Sequence, residues 1–157
     1  EGMTDYARGI TTSVALIGGG TAANVIPQHA WFSVDCRVTT LADGTMMENR
    51  ILSLKPHDPD VQLRITGGMN RPPYEKSDAV AELFELARKV AADVGFDLQD
   101  CPMTGGGSDG NFTAALGVPT LDGLGIDGDG AHTLQEYGLI SSIAPRQALM
   151  KGLLETI

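Results

Sequence analysis

The chain has 157 residues, enough for one ordinary domain or two small ones, and 42% of them are hydrophobic, so a core can form and wholesale disorder is excluded. A net charge of -9 with no cluster of lysine or arginine argues against a nucleic-acid surface and is compatible with a cation site. No apolar run reaches membrane-spanning length and none has the form of a signal peptide, although a start at Glu1 rather than Met leaves room for a removed leader and leaves the compartment open.

MTDYARG (3–9) reads as a last helical turn stopped by Gly9. ITTSVALIGGG (10–20) is a β-rich run ending in three glycines. AWFSVDCRV (30–38) alternates: Ala30, Phe32, Val34, Cys36 and Val38 share one face, and Trp31, Ser33, Asp35 and Arg37 the other. Between them TAANVIPQH is too long for a tight hairpin turn. LADGTMMENRILSLK (41–55) places Met47, Ile51 and Leu54 at helical spacing, and VQLRITG (61–67) alternates as a further strand. The order strand, strand, helix, strand lacks the opening strand and helix usual in such a sheet, so the chain is expected to begin partway through a small α+β domain.

NRPPYEKSD marks a boundary, with Ser77 as helix cap. DAVAELFELARKVAADVG carries one apolar stripe, Val80, Leu83, Phe84, Ala87, Val90, Ala91 and Val94, ended by Gly95. An extended piece, FDLQDCPM, interrupted by Pro102, leads to the loop TGGGSDG and a short helix, NFTAALG. VPTLDGLG is an apolar strand. SSIAPRQALMKGLLETI closes as a helix capped by Ser141 or Ser142, with Pro145 in its first turn. The second half therefore reads as α/β. Cys36 and Cys101 have no metal-type spacing and are expected to be buried, reduced thiols.

Three loop chemistries can be weighed from these residues. Counted as a calcium loop from Asp127, the segment DGDGAH puts Ala131 at position 5, His132 at 6 and Gly138 at 12, so it fails the ligand pattern. GGSDG (106–110) satisfies G-x-S-x-G, and Asp127 or Asp129 and then His132 follow in the order of a serine hydrolase; against this, acid and base would share one short loop. TGGGSDG ahead of a helix could cradle an anion, but it lacks the Lys-Ser/Thr of a phosphate loop.

Taken in order, GGGTAANVIPQHAWFSVDCR, GGMNRPP, TGGGSDGNF and LGIDGDGAHTLQEYG resemble the co-catalytic zinc metallopeptidase and deacylase family. That family includes glutamate carboxypeptidase, aminoacylase, acetylornithine deacetylase and succinyl-diaminopimelate desuccinylase, and the chain is most similar to the glutamate carboxypeptidase branch. The resemblance implies an α/β and α+β fold. Residues 1–74 would be the latter part of a ferredoxin-like lid and dimerisation domain, and residues 75–157 the C-terminal part of an α/β catalytic domain. It also implies two zinc ions in the intact enzyme and hydrolysis of an amide beside a free carboxylate, in a small acyl-amino-acid or peptide substrate. His132 matches a zinc ligand. Asn24 matches a lid asparagine that reaches across a homodimer to stabilise the oxyanion. Arg71 and Arg37 match groups that hold the substrate, and Thr104 and Gly107 match the loop lining the pocket. The other metal ligands and the glutamate general base would lie upstream of Glu1, so the chain alone is expected to be inactive.

Structural roles stand beside these functional ones. Arg37 also suits a cross-strand ion pair, Arg71 a solvated loop end and Asn24 a turn. Asp109 and Glu136 suit a helix cap or an outer support for the site, the loop aspartates suit loop shaping, and His29 and His57 receive no role. Two other functions remain open at this level. One is a non-catalytic dimerisation module; the other is a serine hydrolase using Ser108 and His132.

Overall fold

The computed structural model describes residues 2–101 and 103–157; Pro102, expected to interrupt the extended piece before Ser108, lies outside them. The chain divides into two compact units, Glu1–Glu75 and Lys76–Ile157.

The first unit opens with a 3-10 turn, Tyr6–Arg8, rather than α-helix. Asp5 caps it by accepting from the Ala7 and Arg8 amides, and Gly9 ends it at φ 69°. Asp5 and Ile10 exchange two backbone hydrogen bonds of 2.8 Å around this turn, which delivers the chain into strand β1, Thr11–Gly19. β1 pairs antiparallel with β2, Ala30–Arg37, from Thr11↔Arg37 to Gly19↔Ala30, with an irregularity between Val14 and Leu16. A side chain on Gly18 would strike the Trp31 indole at 2.8 Å, so the glycine lets the ring lie over the strand.

Helix α1 spans Leu41–Leu52, with Thr40 as N-cap accepting from the Asp43 amide at 3.1 Å. The Arg8 guanidinium pairs with the buried Asp43 carboxylate and ties the opening turn to α1. Ile10 and Met47 are fully buried in this unit. Met47 thus faces inward as its spacing predicted, whereas Leu54 lies beyond the helix and is exposed. Gly44 sits inside α1 where a Cβ would meet Met69 Cε at 2.4 Å; its bare backbone makes room for that side chain.

VQLRITG, expected as a strand, takes part in no ladder among the described residues. Alternation predicts which side chains share a face, but a strand also needs a neighbour whose backbone completes its hydrogen bonds.

The second unit is organised by α2, Asp78–Asp93, against α4, Ile140–Thr156. Ser77 caps α2 by accepting from the Val80 amide at 3.3 Å. At the other end Gly95 adopts φ 75°, and the Gly95 and Phe96 amides donate to Ala92 and Ala91 at 3.0 and 2.8 Å, the paired bonds of a Schellman motif. Ala87, Val90, Ala91, Leu98, Leu149 and Leu153 form the core, flanked by Phe84, Phe96, Leu121 and Leu124. Val94, placed in the same stripe from sequence, falls at the C-cap and is exposed. α2 and α4 approach so closely at Gly152 that a Cβ there would stand 2.5 Å from Val90 Cγ1.

Helix α3, Gly110–Ala115, closes with Gly117 at φ 77° and the same paired bonds. Among the described residues, VPTLDGLG and FDLQDCPM carry no assigned strand. The regular β-structure here is a short pair, β3 (Gly128–Asp129) with β4 (Tyr137–Gly138). α4 begins earlier than its serines suggested: Leu139 is the N-cap, Pro145 lies beyond the first turn and cannot donate to Ser141, and Ser142 is turned to another task. The thiols also differ from expectation, since Cys36 is half-buried and Cys101 is exposed.

Candidate functional site

The six residues singled out by sequence divide evenly between the units. In the first, Asn24 lies exposed in the 20–29 connection between β1 and β2. Arg37 ends β2, where its Nε donates to Asp35 Oδ2 at 2.9 Å, an exposed ion pair within one strand rather than the cross-strand pair of its structural alternative. Arg71 lies exposed in the segment between α1 and α2. In the second unit Thr104 and Gly107 are exposed in the glycine loop ahead of α3, where Thr104 Oγ1 accepts from the Gly106 amide at 3.4 Å.

The glycine loop is shaped by its own side chains. Asn111 Oδ1 accepts from the Ser108 amide at 2.9 Å, and Ser108 Oγ accepts from the Gly110 amide at 3.0 Å. Asp109 occupies the N-cap position of α3 with φ -69° and ψ -19°, helical rather than extended, and makes no side-chain cap bond, while Ser108 Oγ takes the first helical amide. Among the described residues no strand leads directly into the loop before Ser108, and no hydrogen bond joins Ser108 to His132. The strand-to-helix elbow and the Ser–His contact of a serine hydrolase are therefore not formed.

His132 sits in the hairpin built by β3 and β4. Gly128 pairs with Gly138 and Asp129 with Tyr137. A Cβ on Gly128 would overlap the Tyr137 carbonyl at 2.1 Å, so a side chain at this point would prise the strands apart. Gly130, at φ 74°, starts the turn, and the Thr133 amide and hydroxyl both return to its carbonyl, at 3.0 and 2.7 Å. Within that turn His132 has φ 67°, a left-handed conformation no other non-glycine residue among those described adopts. Such a turn favours glycine or asparagine at this point, because a Cβ crowds the neighbouring carbonyl. The imidazole is exposed and has no hydrogen-bond partner among the described residues.

A group of three His, Cys, Asp or Glu side chains able to hold a metal is absent among the described residues. His132 fits a metal as one neutral nitrogen donor with a free ring, and further donors must come from elsewhere. Two open recesses, of about 390 Å³ between the opening turn and α1 and about 250 Å³ beside Arg88 and Phe96, contain none of the six residues.

Sequence reasoning missed the hairpin's support. Asp127, at its base, pairs with Arg146 of α4 at 2.5 Å, and its amide donates to Ser142 Oγ at 2.9 Å. Nothing in the sequence links residues so far apart. The four-residue spacing of Ser142 and Arg146 on a helix was the one available hint, since it puts both on one face.

These features define an exposed histidine on a braced glycine hairpin, with no group of three metal-ligating side chains among the described residues. Residues 5–156 match peptidase family M20/M25/M40, and the chain belongs to that family. Its mixture of helices and small antiparallel sheets is consistent with part of a peptidase domain of this kind. It is similar to carboxypeptidase G2 of Pseudomonas sp. (strain RS-16), 29% identical over 153 residues, which are 94% of this chain and 36% of that protein. It is also similar to the succinyl-diaminopimelate desuccinylases of Cupriavidus taiwanensis, 30% identical over 144 residues, and Ralstonia nicotianae, 29% over 152. Those matches cover 89% and 94% of this chain but 36% and 38% of the two enzymes. The chain thus spans little more than a third of the length of the curated relatives it matches.

Proposed function

We propose that this chain is one part of a zinc-dependent carboxypeptidase or amidohydrolase that cleaves an amide next to a free carboxylate, as glutamate carboxypeptidases do. The observation that carries this reading is His132: an exposed imidazole with no hydrogen-bond partner among the described residues, held in a left-handed conformation uncommon for residues other than glycine, in a chain that belongs to a peptidase family. Strain of that sort in a loop is a pointer to function.

In this reading His132 is a metal ligand, and residues 75–157 belong to the catalytic domain. Residues 1–74 belong to a lid, whose Asn24 amide donates to the oxygen that gains charge as the amide carbon becomes tetrahedral. Arg71 receives the substrate carboxylate, for which a planar guanidinium is suited. Arg37 assists, with its Nε already given to Asp35. Thr104 and Gly107 line the pocket, glycine allowing close approach of substrate to backbone. When bound, zinc polarises the scissile carbonyl and lowers the pKa of the attacking water. The remaining ligands and the general base are supplied from outside these 157 residues.

A homodimer formed through the lid is part of the same proposal. Val14, Leu16, Ile17, Trp31 and Phe32 of the β1–β2 ribbon are all at least half exposed, which is a large apolar surface for two strands. A monomer at all concentrations in sedimentation would refute this component.

Zinc titration with an acyl-glutamate hydrolysis assay tests the enzymatic reading. The full-length protein is expected to bind zinc and turn over substrate, and His132→Ala to lose both. The 157-residue chain alone is expected to do neither. Tight stoichiometric zinc binding with turnover by that chain would contradict the assignment.

A further inference from the structure

Ser142 and Arg146 stand on successive turns of α4, and both reach the base of the His132 hairpin. Ser142 Oγ accepts from the Asp127 amide at 2.9 Å and donates to the Leu139 carbonyl at 2.7 Å, while the Leu139 amide donates to the Asp127 carbonyl at 2.7 Å. One buried hydroxyl thus joins the two ends of the hairpin. Arg146 adds a second tie. Its Nη2 donates to Asp127 Oδ1 at 2.5 Å and its guanidinium carbon lies 4.6 Å from the centre of the Phe96 ring.

This is a poor way to gain stability. The Arg146 side chain is only 15% exposed, and its buried Nε has no hydrogen-bond partner among the described residues. An ion pair between a largely buried arginine that keeps an orphaned donor and a half-exposed aspartate adds little stability over an apolar side chain of similar volume. What a methionine at this position could not supply is a fixed distance and direction between α4 and Asp127. By contrast, residues 131–140 are exposed throughout, so the hairpin tip has no packing of its own to hold it. The hairpin's placement depends on its base.

We propose that Ser142 and Arg146 are positioning residues for His132: together they clamp Asp127 and Leu139 to α4, so that the hairpin presents the imidazole to the metal in one orientation. The proposal rests on the reading of His132 as a ligand, and the experiment separates the two. In the full-length protein, Arg146→Met, Ser142→Ala and Asp127→Asn are compared with Arg146→Lys and His132→Ala. Amide exchange over residues 128–138 and the zinc dissociation constant are both measured.

Arg146→Met and Asp127→Asn are expected to speed exchange over 128–138 about ten-fold while the amides of α2 stay unchanged, and to weaken zinc binding by about ten-fold or more. Ser142→Ala is expected to act in the same direction, and Arg146→Lys to recover part of the affinity. Asp127→Asn, which removes only charge, decides the matter if Arg146→Met does not fold. Folded variants with exchange and zinc affinity within two-fold of the parent would overturn the clamp, provided His132→Ala abolishes binding. If His132→Ala binds zinc normally, the ligand reading falls, and the exchange measurement alone still decides whether Asp127 and Leu139 are clamped.

Discussion

Replacing His132 by glycine should make the protein more stable while removing the group on which its function is proposed to depend. A non-glycine residue in the left-handed region carries a cost of about 1–2 kcal/mol. Glycine removes that cost but loses about 0.5–1 kcal/mol more backbone entropy on folding. The imidazole is exposed and unpartnered, so its deletion forfeits little packing. The net expectation for His132→Gly is a gain of roughly 0.5–1 kcal/mol, or about 2 °C in Tm for a chain of this size. Ala131 supplies the control, because its φ is not positive and glycine there should lose about 0.5–1 kcal/mol. His132→Ala keeps the strained backbone and should be near neutral. Urea unfolding of the three variants under one set of conditions reads the differences directly. If His132→Gly proves as destabilised as Ala131→Gly, residue 132 is not held left-handed in solution, and the strain argument fails.

Three further expectations follow from packing, capping and titration. Gly152→Ala should destabilise by about 1 kcal/mol, the overpacking against Val90 exceeding the helix-propensity gain; a double-mutant cycle with Val90→Ala should show strong coupling, and additivity would refute the close approach. Ser77→Ala should cost about 1 kcal/mol through loss of the α2 cap, measurable by thermal unfolding. Burial, and then the charge of Asp35, push the Cys36 thiol above its ordinary range. The protonated thiol therefore favours the fold below the unfolded value, and that contribution is lost as pH rises through the raised one. At mildly alkaline pH iodoacetamide should label exposed Cys101 before Cys36, and Asp35→Asn should accelerate labelling of Cys36.

Legibility from sequence tracked how local the determining interaction is. Ser77 and Gly95 announced the ends of α2 because a cap is satisfied within a few residues of itself. The apolar stripe through Ala87, Val90 and Ala91 was visible for the same reason, since helical spacing alone decides which face turns inward. VQLRITG and VPTLDGLG alternated or ran apolar as strands do, yet pairing depends on distant backbone that no local pattern contains. The candidate site was proposed from motifs in order, which singled out His132 and its glycines. Its support was not: Asp127 looked like one of two loop-shaping aspartates, and only the fold brings Arg146 and Phe96 to it. Pro145 misled because proline marks a first turn on average, whereas here the hairpin's end at Leu139 starts α4 sooner.

The packing of α2 on α4 has a consequence for how this part of the protein can change. Residues 94–139, with both glycine loops, connect two helices that also pack directly on each other, and Leu98 near the start of that connection is buried in the core they share. Closing such a loop costs only about 0.6 kcal/mol more for each doubling of its length. Insertions around 103–109 or 131–135 therefore leave the helix pair nearly untouched. Even a proteolytic cut in either place should leave two pieces that stay associated until the Ala91–Leu149 core itself comes apart.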